Sequence, residues 1–200
     1  DEGAVLTLDG AGSFLADPRS RTMQRDLNLK IKFRESFRPF APSVLAEDVG
    51  RFFELERPSP YMLLVASLRD RPSTPDPAMA ALPGLERLRA VESRLPAVTH
   101  VDYSARVQTV DRDINPLFHD LIAEFGRRTG VPVLVNTSFN IKGEPIVETP
   151  QDAMNCFIYT GIDYLALHDI LVAKNVLYRI LSPFIKVYYE SMARSRDETD

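Results

Sequence analysis

The sequence predicts an α/β protein of the α+β kind, with a twisted mixed sheet and helices packed on it. Two observations lead to this prediction. Short apolar runs with strand periodicity recur along the chain, and segments with helical periodicity and capping residues lie between them. Some predicted strands also follow one another directly, so we expect a sheet with both parallel and antiparallel pairs.

The first half of the chain is predicted to contribute three strands and two helices. The strands are residues 4–8, 30–40 and 61–66, and the helices are residues 17–26 and 43–53. The third strand is a nearly continuous apolar run, which is typical of a strand buried on both faces. Asp17 and Ser43 are the predicted N-caps of the two helices. Residues 71–83 hold four prolines, which predicts an irregular, mobile loop.

The second half of the chain carries clearer signals. The predicted strands are residues 98–101, 106–110, 131–135 and 164–172. One helix is predicted from Asn115 and Pro116 to Gly130, because apolar residues recur at helical spacing between a capping signature and a helix-ending glycine. Thr149 caps a further helix that extends through Thr160.

The composition is that of an ordinary globular protein. The chain has 200 residues, 44% of them hydrophobic and 26% charged, with a formal net charge of −4. This charge does not favour nucleic acid or an anionic membrane as a partner. No run is long and apolar enough to span a bilayer, and the start lacks a signal-peptide layout, so we expect a cytoplasmic protein. The single cysteine, Cys156, is expected to be a buried, inert thiol.

Two short segments carry the residues that indicate chemistry. Lys32 and Arg34 are two residues apart, and on an extended strand both side chains lie on one face. Ser138 and Asn140 have the same spacing after the predicted strand at 131–135. A cationic pair and a hydroxyl/amide pair together are suited to bind a phosphate and a small polar group. The alternative is a solvated edge strand, on which lysine prevents aggregation.

Other polar residues have both a functional and a structural interpretation. Arg106 is either a phosphate clamp or a surface position on its strand. Residues 136–140 are either a ligand-binding strand end or a polar turn that bonds to its own backbone. His100 is a base, a ligand contact or a core imidazole, whereas His119 is expected at the surface. No pair of histidines has metal-ligand spacing, so we predict no metal site in the protein itself.

Five segments of the sequence form a longer pattern. They are ADPR (16–19), FRESFRPFAP (33–42), LPAVTHVD (95–102), ARVQTV (105–110) and VNTSFN (135–140). In this order they resemble the C-terminal domain of NodU/CmcH-type O-carbamoyltransferases, and the likeness extends from about Phe14 to Lys174. The Lys-x-Arg and Ser-x-Asn pairs resemble the signature of YrdC-like domains, which make acyl-adenylates from ATP.

The resemblance implies a YrdC-like fold, a function and a set of site residues. The domain would convert carbamoyl phosphate and ATP, with Mg²⁺ on the triphosphate, into carbamoyl-adenylate. An N-terminal transferase domain or separate subunit, which lies outside this chain and binds iron, would then carbamoylate a hydroxyl group. The residues implied in catalysis are Lys32, Arg34, Arg106 and Ser138, and those implied in nucleotide or phosphate binding are Arg38, Asn136, Thr137, Asn140 and His100.

The predicted organisation is a carbamoyltransferase C-terminal domain at residues 1–174 and a helical extension at residues 175–200, kinked at Pro183. One stretch departs from the family. Its usual Gly-Pro-Arg-Ala-Leu-Gly-x-Arg-Ser reads Leu-Thr-Leu-Asp-Gly-Ala-Gly-Ser at residues 6–13. The rival prediction is therefore a degenerate module that binds a nucleotide or a subunit without catalysis. An RNA-modifying YrdC relative fits less well, because the chain shows no basic stripe.

Overall fold

The structure is a computed structural model that describes residues 5–8, 12–74 and 76–174. The strands are β1 (Val5–Leu8), β2 (Ser13–Ala16), β3 (Ala41–Leu45), β4 (Leu64–Ser67), β5 (Ser104–Val110), β6 (Val133–Ser138), β7 (Tyr164–Leu167) and β8 (Ile170–Ala173). The helices are α1 (Met23–Lys30), α2 (Val49–Phe52), α3 (Pro77–Ala81), α4 (Gly84–Ala90), α5 (Pro116–Thr129) and α6 (Pro150–Tyr159), and a 3₁₀ turn (Ala46–Asp48) precedes α2. The predicted extension at residues 175–200 lies outside the described residues, and the domain boundary before it stays a prediction.

Within the described ranges, the strands form an eight-stranded sheet in the order β4-β5-β3-β6-β2-β1-β7-β8. The β3–β5 and β1–β7 pairs are parallel, and the other neighbouring pairs are antiparallel. The mixed α/β architecture predicted from the sequence is confirmed. In the same ranges, no helix combines the length and apolar character needed to cross a membrane.

The central strands have one apolar face and one face that changes from apolar to polar. Val44, Val107 and Val135 belong to the larger core cluster, which also contains buried residues of α1, α2 and α6. The opposite face carries a smaller cluster with α5, formed by Leu15, Leu45, Val110, Phe118, Ile122 and Leu134. Further along this second face the alternating positions are polar, so α5 covers only one end of it.

Both helices predicted in the second half form with the predicted caps. Asn115 Oδ1 accepts a hydrogen bond from Phe118 N at 3.2 Å, and α5 ends at Gly130, whose φ of 77° is left-handed. Thr149 and Asp152 form a capping box at the start of α6. Local chemistry determines these helix ends, which is why the sequence located them.

The predicted strand at residues 30–40 is wrong. The chain leaves α1 at Lys30, and the backbone N–H groups of Ile31 and Lys32 both donate to Leu27 O. Phe33 then adopts a left-handed φ of 47°, and the next described strand begins only at residue 41. Lys32 and Arg34 are therefore placed by a turn that ends a helix and not by strand alternation.

Residues 43–53 do not form a single helix. Ser43 lies in the middle of β3, opposite Gln108 of β5 and Leu134 of β6. The apolar spacing is compatible with a helix, but hydrogen bonding to two neighbouring strands determines a strand here. The run at 61–66 contributes instead to β4, an edge strand on which Val65 is 61% exposed.

The other corrections concern element ends. The helix predicted at 17–26 begins later and is α1, and the loop predicted at 71–83 includes α3. Residues 98–101 contain no strand. The strand predicted at 131–135 extends to Ser138, and the strand predicted at 164–172 is the β7–β8 hairpin. Asp17 does not cap a helix, because its carboxylate accepts hydrogen bonds from Arg19 in a local turn. The strand β2 was not predicted, since four residues are too few for a periodic pattern.

Gly126 of α5 packs directly against Pro132. A Cβ at position 126 would lie 2.6 Å from Pro132 Cβ and 2.9 Å from Pro132 Cα. We expect Gly126→Ala to lower the free energy of unfolding by about 1–3 kcal/mol, although alanine by itself favours a helix. Urea unfolding followed by circular dichroism measures this change.

Gly50→Ala in α2 is the matched control, because nothing lies within 4 Å of the Cβ it adds. This variant should keep the free energy of unfolding or raise it by up to about 1 kcal/mol. If Gly126→Ala has the same free energy of unfolding as the wild-type chain, the close packing of α5 on Pro132 is contradicted.

Candidate functional site

Predicted residues converge most closely around the Lys32 side chain. Lys32 is 5% exposed, and its Nζ donates to the main-chain oxygens of Ser138 (2.5 Å) and Asn140 (3.0 Å). The same Nζ lies 2.8 Å from Asn140 Oδ1 and 3.2 Å from Ser138 Oγ. The Ser138 hydroxyl donates to Asn140 Oδ1 at 2.7 Å. The structure thus places three predicted site residues in direct contact.

Neutral oxygen atoms and an aromatic ring enclose the Lys32 ammonium. Its Nζ lies 5.0 Å from the centre of the Phe14 ring. Burial, and then the positive charge of Arg34, lower the pKa of Lys32 to about 8. At neutral pH the side chain remains mainly protonated, and its N–H groups are directed at protein oxygens. Lys32 therefore holds the end of β6 in place, and other donors are left to contact a phosphate.

Asn28 of α1 positions Arg34. Asn28 is fully buried, and its Oδ1 accepts a hydrogen bond from Arg34 Nε at 2.6 Å. Arg34 N donates to Asn28 O at 3.0 Å. Asn28 Nδ2 also donates to main-chain oxygens, those of Gln24, Ser36 and Arg38. The buried Asn28 amide thus connects α1 to the turn that carries Arg34 and Arg38.

Arg34 and Arg38 have different surroundings. The Arg34 guanidinium lies 4.9 Å from the centre of the Phe40 ring, and its terminal nitrogens have no hydrogen-bond partner in the part of the chain that the structure describes. Burial, and then the charge of Arg38, lower the pKa of Arg34. Arg38 is exposed and pairs with Glu35 at 2.9 Å. Arg34 is therefore the stronger candidate to contact an anion.

Asn136 belongs to a hydrogen-bonded group on the polar part of the second sheet face. Asn136 Nδ2 donates to Ser43 Oγ (3.0 Å) and to Gln108 Oε1 (2.8 Å). Ser43 Oγ donates to Gln108 Oε1 at 2.5 Å, so the group links β6, β3 and β5. Thr137 alternates to the opposite face with Val135, so the strand does not place it with Asn136.

Arg106 and His100 lie on β5 and in the turn before it. Arg106 is exposed, and its guanidinium has no hydrogen-bond partner within the described ranges. His100 Nδ1 lies 3.0 Å from Ser104 Oγ, which donates to Asp102 Oδ1 at 2.6 Å. Because the Ser104 proton goes to the carboxylate, His100 Nδ1 is the donor and its Nε2 keeps the lone pair. Burial lowers the pKa of His100; the negative charge of Asp102 opposes this shift, and the positive charge of Arg106 adds to it. The ring is therefore neutral at pH 7.

These contacts form two groups that the sheet joins. Lys32, Arg34, Ser138 and Asn140 lie together after α1 and at the end of β6, and Arg106 lies near His100 at the start of β5. Asn136 and its neighbours connect β6 to β5 across β3. The terminal nitrogens of Arg34 and the guanidinium of Arg106, which have no hydrogen-bond partner among the described residues, can bind a phosphorylated ligand, and the nearby amide and hydroxyl can orient a small polar group.

His119 and Cys156 lie outside these groups. His119 was predicted at the surface but is buried, because it faces Glu47, with Nε2 2.7 Å from Glu47 Oε1. Cys156 is buried as predicted, and burial raises the pKa of its thiol to about 12. Among the residues with described positions, no cluster of three or more His, Cys, Asp or Glu is arranged to hold a metal ion.

Three positioning residues were missed by the sequence prediction. Ser43 and Gln108 lie on the same sheet face in neighbouring strands, which is a signal only when the strands and their pairing are known. Asn28 is a polar residue in the apolar stripe of α1, next to the buried Leu27. A buried amide in such a stripe indicates fixed hydrogen bonds, but it does not identify their acceptors.

The chain belongs to the carbamoyltransferase C-terminus family, whose family model matches residues 8–174. An uncharacterized protein of Synechocystis sp. is 55% identical over 166 residues. The nodulation protein NolO of Bradyrhizobium diazoefficiens is 42% identical over 168 residues. The 3′-hydroxymethylcephem-O-carbamoyltransferase of Amycolatopsis lactamdurans is 36% identical over 157 residues. The family predicted from the motifs is confirmed.

These similarities cover most of the chain and a small part of each relative. The matched regions are 82%, 82% and 78% of this chain but 27%, 27% and 26% of the three relatives. The chain therefore spans about a quarter of the length of the curated relatives it matches. All the candidate site residues lie inside the region that the family model matches.

Asn28→Asp tests the amide that organises the turn after α1. The carboxylate keeps an acceptor for Arg34 but removes the Nδ2 donor to three main-chain oxygens. We expect the free energy of unfolding at pH 7 to fall by about 2–4 kcal/mol, because buried carbonyl groups lose their donor. Asn155→Asp, at an exposed amide of α6, is the control and should change it by less than about 0.5 kcal/mol. An equally small effect at Asn28, measured by urea unfolding, would disprove this role.

The lowered pKa of Lys32 makes stability depend on pH. In the folded chain the ammonium loses its proton near pH 8, whereas the ordinary pKa of lysine is 10.5. Between these values the unfolded chain binds more protons, so the free energy of unfolding rises with pH. Lys32→Met should reduce this rise by up to about 1.4 kcal/mol per pH unit. Urea unfolding at a series of pH values from about 8 to 10 measures the slope.

Wild-type chain and Lys32→Met share every other titrating group. Burial also lowers the pKa of Lys174 to about 8, and its contribution cancels in the difference between the two slopes. Identical slopes would show that the Lys32 ammonium is not destabilised by its surroundings.

Proposed function

We propose that this chain activates carbamoyl phosphate with ATP to form carbamoyl-adenylate, for carbamoyl transfer to a hydroxyl group. The observation that carries the proposal is the contact of Lys32 with Ser138, two residues 106 positions apart. It joins the turn after α1, which carries the Lys-x-Arg pair, to the end of β6, which carries the Ser-x-Asn pair. Membership of the carbamoyltransferase C-terminus family supports the same function.

Charge neutralisation is the main task of the proposed site, because carbamoyl phosphate and ATP are both anions. The guanidinium groups of Arg34 and Arg106 would each bind phosphate oxygens in pairs, which a lysine does not reproduce. Mg²⁺ on the triphosphate would neutralise further charge. Lys32 would keep Ser138 and Asn140 aligned beside the carbamoyl group.

The proposed reaction has two steps. Water first converts carbamoyl phosphate to carbamate and inorganic phosphate. A carbamate oxygen then bonds to the α-phosphorus of ATP, the bond from that phosphorus to the bridging oxygen breaks, and pyrophosphate leaves. The neutral ring of His100, with its lone pair at Nε2, is the group we propose to accept a proton from the water.

A second catalytic unit would use the adenylate. The chain corresponds to about a quarter of its relatives, one of which is named as a 3′-hydroxymethylcephem-O-carbamoyltransferase. We propose that a transferase domain, in the same polypeptide or in a separate subunit, passes the carbamoyl group to a hydroxyl group. The iron implied by the resemblance would belong to that unit.

A nucleotide-binding or subunit-binding module without catalysis is the second candidate function. Two observations favour it. The Lys32 ammonium is directed at protein oxygens, and residues 6–13 lack the two arginines of the usual family stretch. The two functions differ in one observable, because only the enzyme exchanges labelled pyrophosphate into ATP.

Arg106→Ala tests the proposed reaction. With ATP, Mg²⁺ and carbamoyl phosphate, the wild-type chain should catalyse exchange of radiolabelled pyrophosphate into ATP. Arg106→Ala should lower this rate by about 10²-fold, because one charged donor to the transition state is lost.

Arg112→Ala is the matched control, since Arg112 is an exposed arginine in the turn after β5. Its exchange rate should equal that of the wild-type chain. An equal rate in Arg106→Ala would refute the assigned site. Calorimetric binding of ATP without any exchange would favour the non-catalytic module.

A further inference from the structure

One proline carbonyl determines how an amide on the polar sheet face is oriented. Gln108 Nε2 donates to Pro60 O at 3.1 Å, and a carbonyl oxygen can only accept hydrogen bonds. The nitrogen end of Gln108 therefore faces Pro60. Its Oε1 faces the opposite way, toward Ser43 and Asn136.

The orientation of Gln108 determines that of Asn136. The Asn136 group that lies 2.8 Å from Gln108 Oε1 has to be a donor, which makes it Nδ2. The second N–H of this nitrogen is directed at Ser43 Oγ, 3.0 Å away. Protein acceptors therefore occupy both N–H groups of Asn136.

Asn136 Oδ1 is the atom that remains for a ligand. It has no hydrogen-bond partner among the residues that the structure describes, and it is not sealed in the core, since Asn136 is 8% exposed. The Asn136 side chain has no donor left for a phosphate oxygen, so within the nucleotide or phosphate binding implied by the resemblance it can only accept a hydrogen bond. An open acceptor favours a ligand group that donates.

We propose that Asn136 Oδ1 accepts a hydrogen bond from the amino group of the carbamoyl moiety. This contact selects carbamoyl phosphate over acyl phosphates that lack an N–H group. Gln108 is the positioning residue, because it keeps the Asn136 oxygen and not the nitrogen toward the ligand. The inference rests on the proposed activation of carbamoyl phosphate.

The position of Asn136 fits a ligand whose phosphate is held by Arg106. Asn136 is opposite Ala41 on β3. On the parallel pair β3–β5, Ser43 is opposite Gln108. Ala41 and Arg106 each lie two residues earlier on these strands, so they are also opposite each other. The backbones of Arg106 and Asn136 are two strand spacings, or about 10 Å, apart. A small ligand can therefore contact Arg106 at its phosphate and Asn136 at its amino group.

Discrimination between two ligands tests this contact. Titration calorimetry of the chain, with Mg²⁺ and α,β-methylene ATP present, compares carbamoyl phosphate with acetyl phosphate, in which a methyl group replaces the amino group. The wild-type chain should bind carbamoyl phosphate about tenfold or more tightly than acetyl phosphate. Asn136→Leu should weaken the binding of carbamoyl phosphate more than the binding of acetyl phosphate, so that the two affinities become equal.

Gln108→Met separates orientation from the mere presence of Asn136. It keeps the side-chain length but removes Oε1, which accepts from Asn136 Nδ2, and Nε2, which donates to Pro60 O, so the ratio of the two affinities should fall. Asn155→Leu, at an exposed amide of α6, is the control and should preserve the wild-type ratio. Acetyl phosphate binding shows in each variant that the site is still folded.

The outcomes distinguish this contact from the proposed function. Equal affinities of the wild-type chain for the two ligands overturn the contact and leave the proposed function standing. The contact is also overturned when Asn136→Leu weakens both ligands by one factor, or when Gln108→Met keeps the wild-type ratio. A wild-type chain that does not bind carbamoyl phosphate overturns the proposed function and this inference together.

Discussion

The buried ammonium of Lys32 is the constraint on which the arrangement of the site depends. A cation that is 5% exposed is tolerated only where polar atoms replace its water shell. Ser138 and Asn140 supply those atoms, and two of the oxygens belong to the main chain. The end of β6 therefore has to lie against the turn after α1. This contact brings Arg34 next to the polar end of the sheet.

The polar groups of the site divide into those that hold the structure and those that remain for a ligand. Asn28, Lys32 and Gln108 direct their donors at protein acceptors; Lys32 and Gln108 connect segments distant in sequence, and Asn28 connects α1 to the turn that follows it. The terminal nitrogens of Arg34, the Arg106 guanidinium and Asn136 Oδ1 have no such partner within the described ranges. Substitutions in the first set should act mainly on stability, and those in the second mainly on binding.

The family match and the geometry bear on different questions. The match to the carbamoyltransferase C-terminus covers residues 8–174 and so includes β2 to β8 with every candidate site residue. It does not say which atoms contact which. Hydrogen-bond directions add that information, because a carbonyl such as that of Pro60 can only accept, and this restriction passes through Gln108 to Asn136. The chemistry of one backbone atom thus determines which atom of a distant amide has no hydrogen-bond partner among the described residues.

Features that depend on residues close together in the chain could be predicted from the amino-acid sequence. The sequence predicted the caps of α5 and α6 and the family. It also identified Lys32, Ser138 and Asn140 as candidate site residues. Contacts between distant segments determined that the segment around Ser43 is a strand and that the turn with Lys32 lies against the end of β6. Both outcomes rest on hydrogen bonds between segments far apart in the chain, because β3 pairs with β5 and β6 and Lys32 donates to Ser138 and Asn140, and local propensity does not encode such contacts.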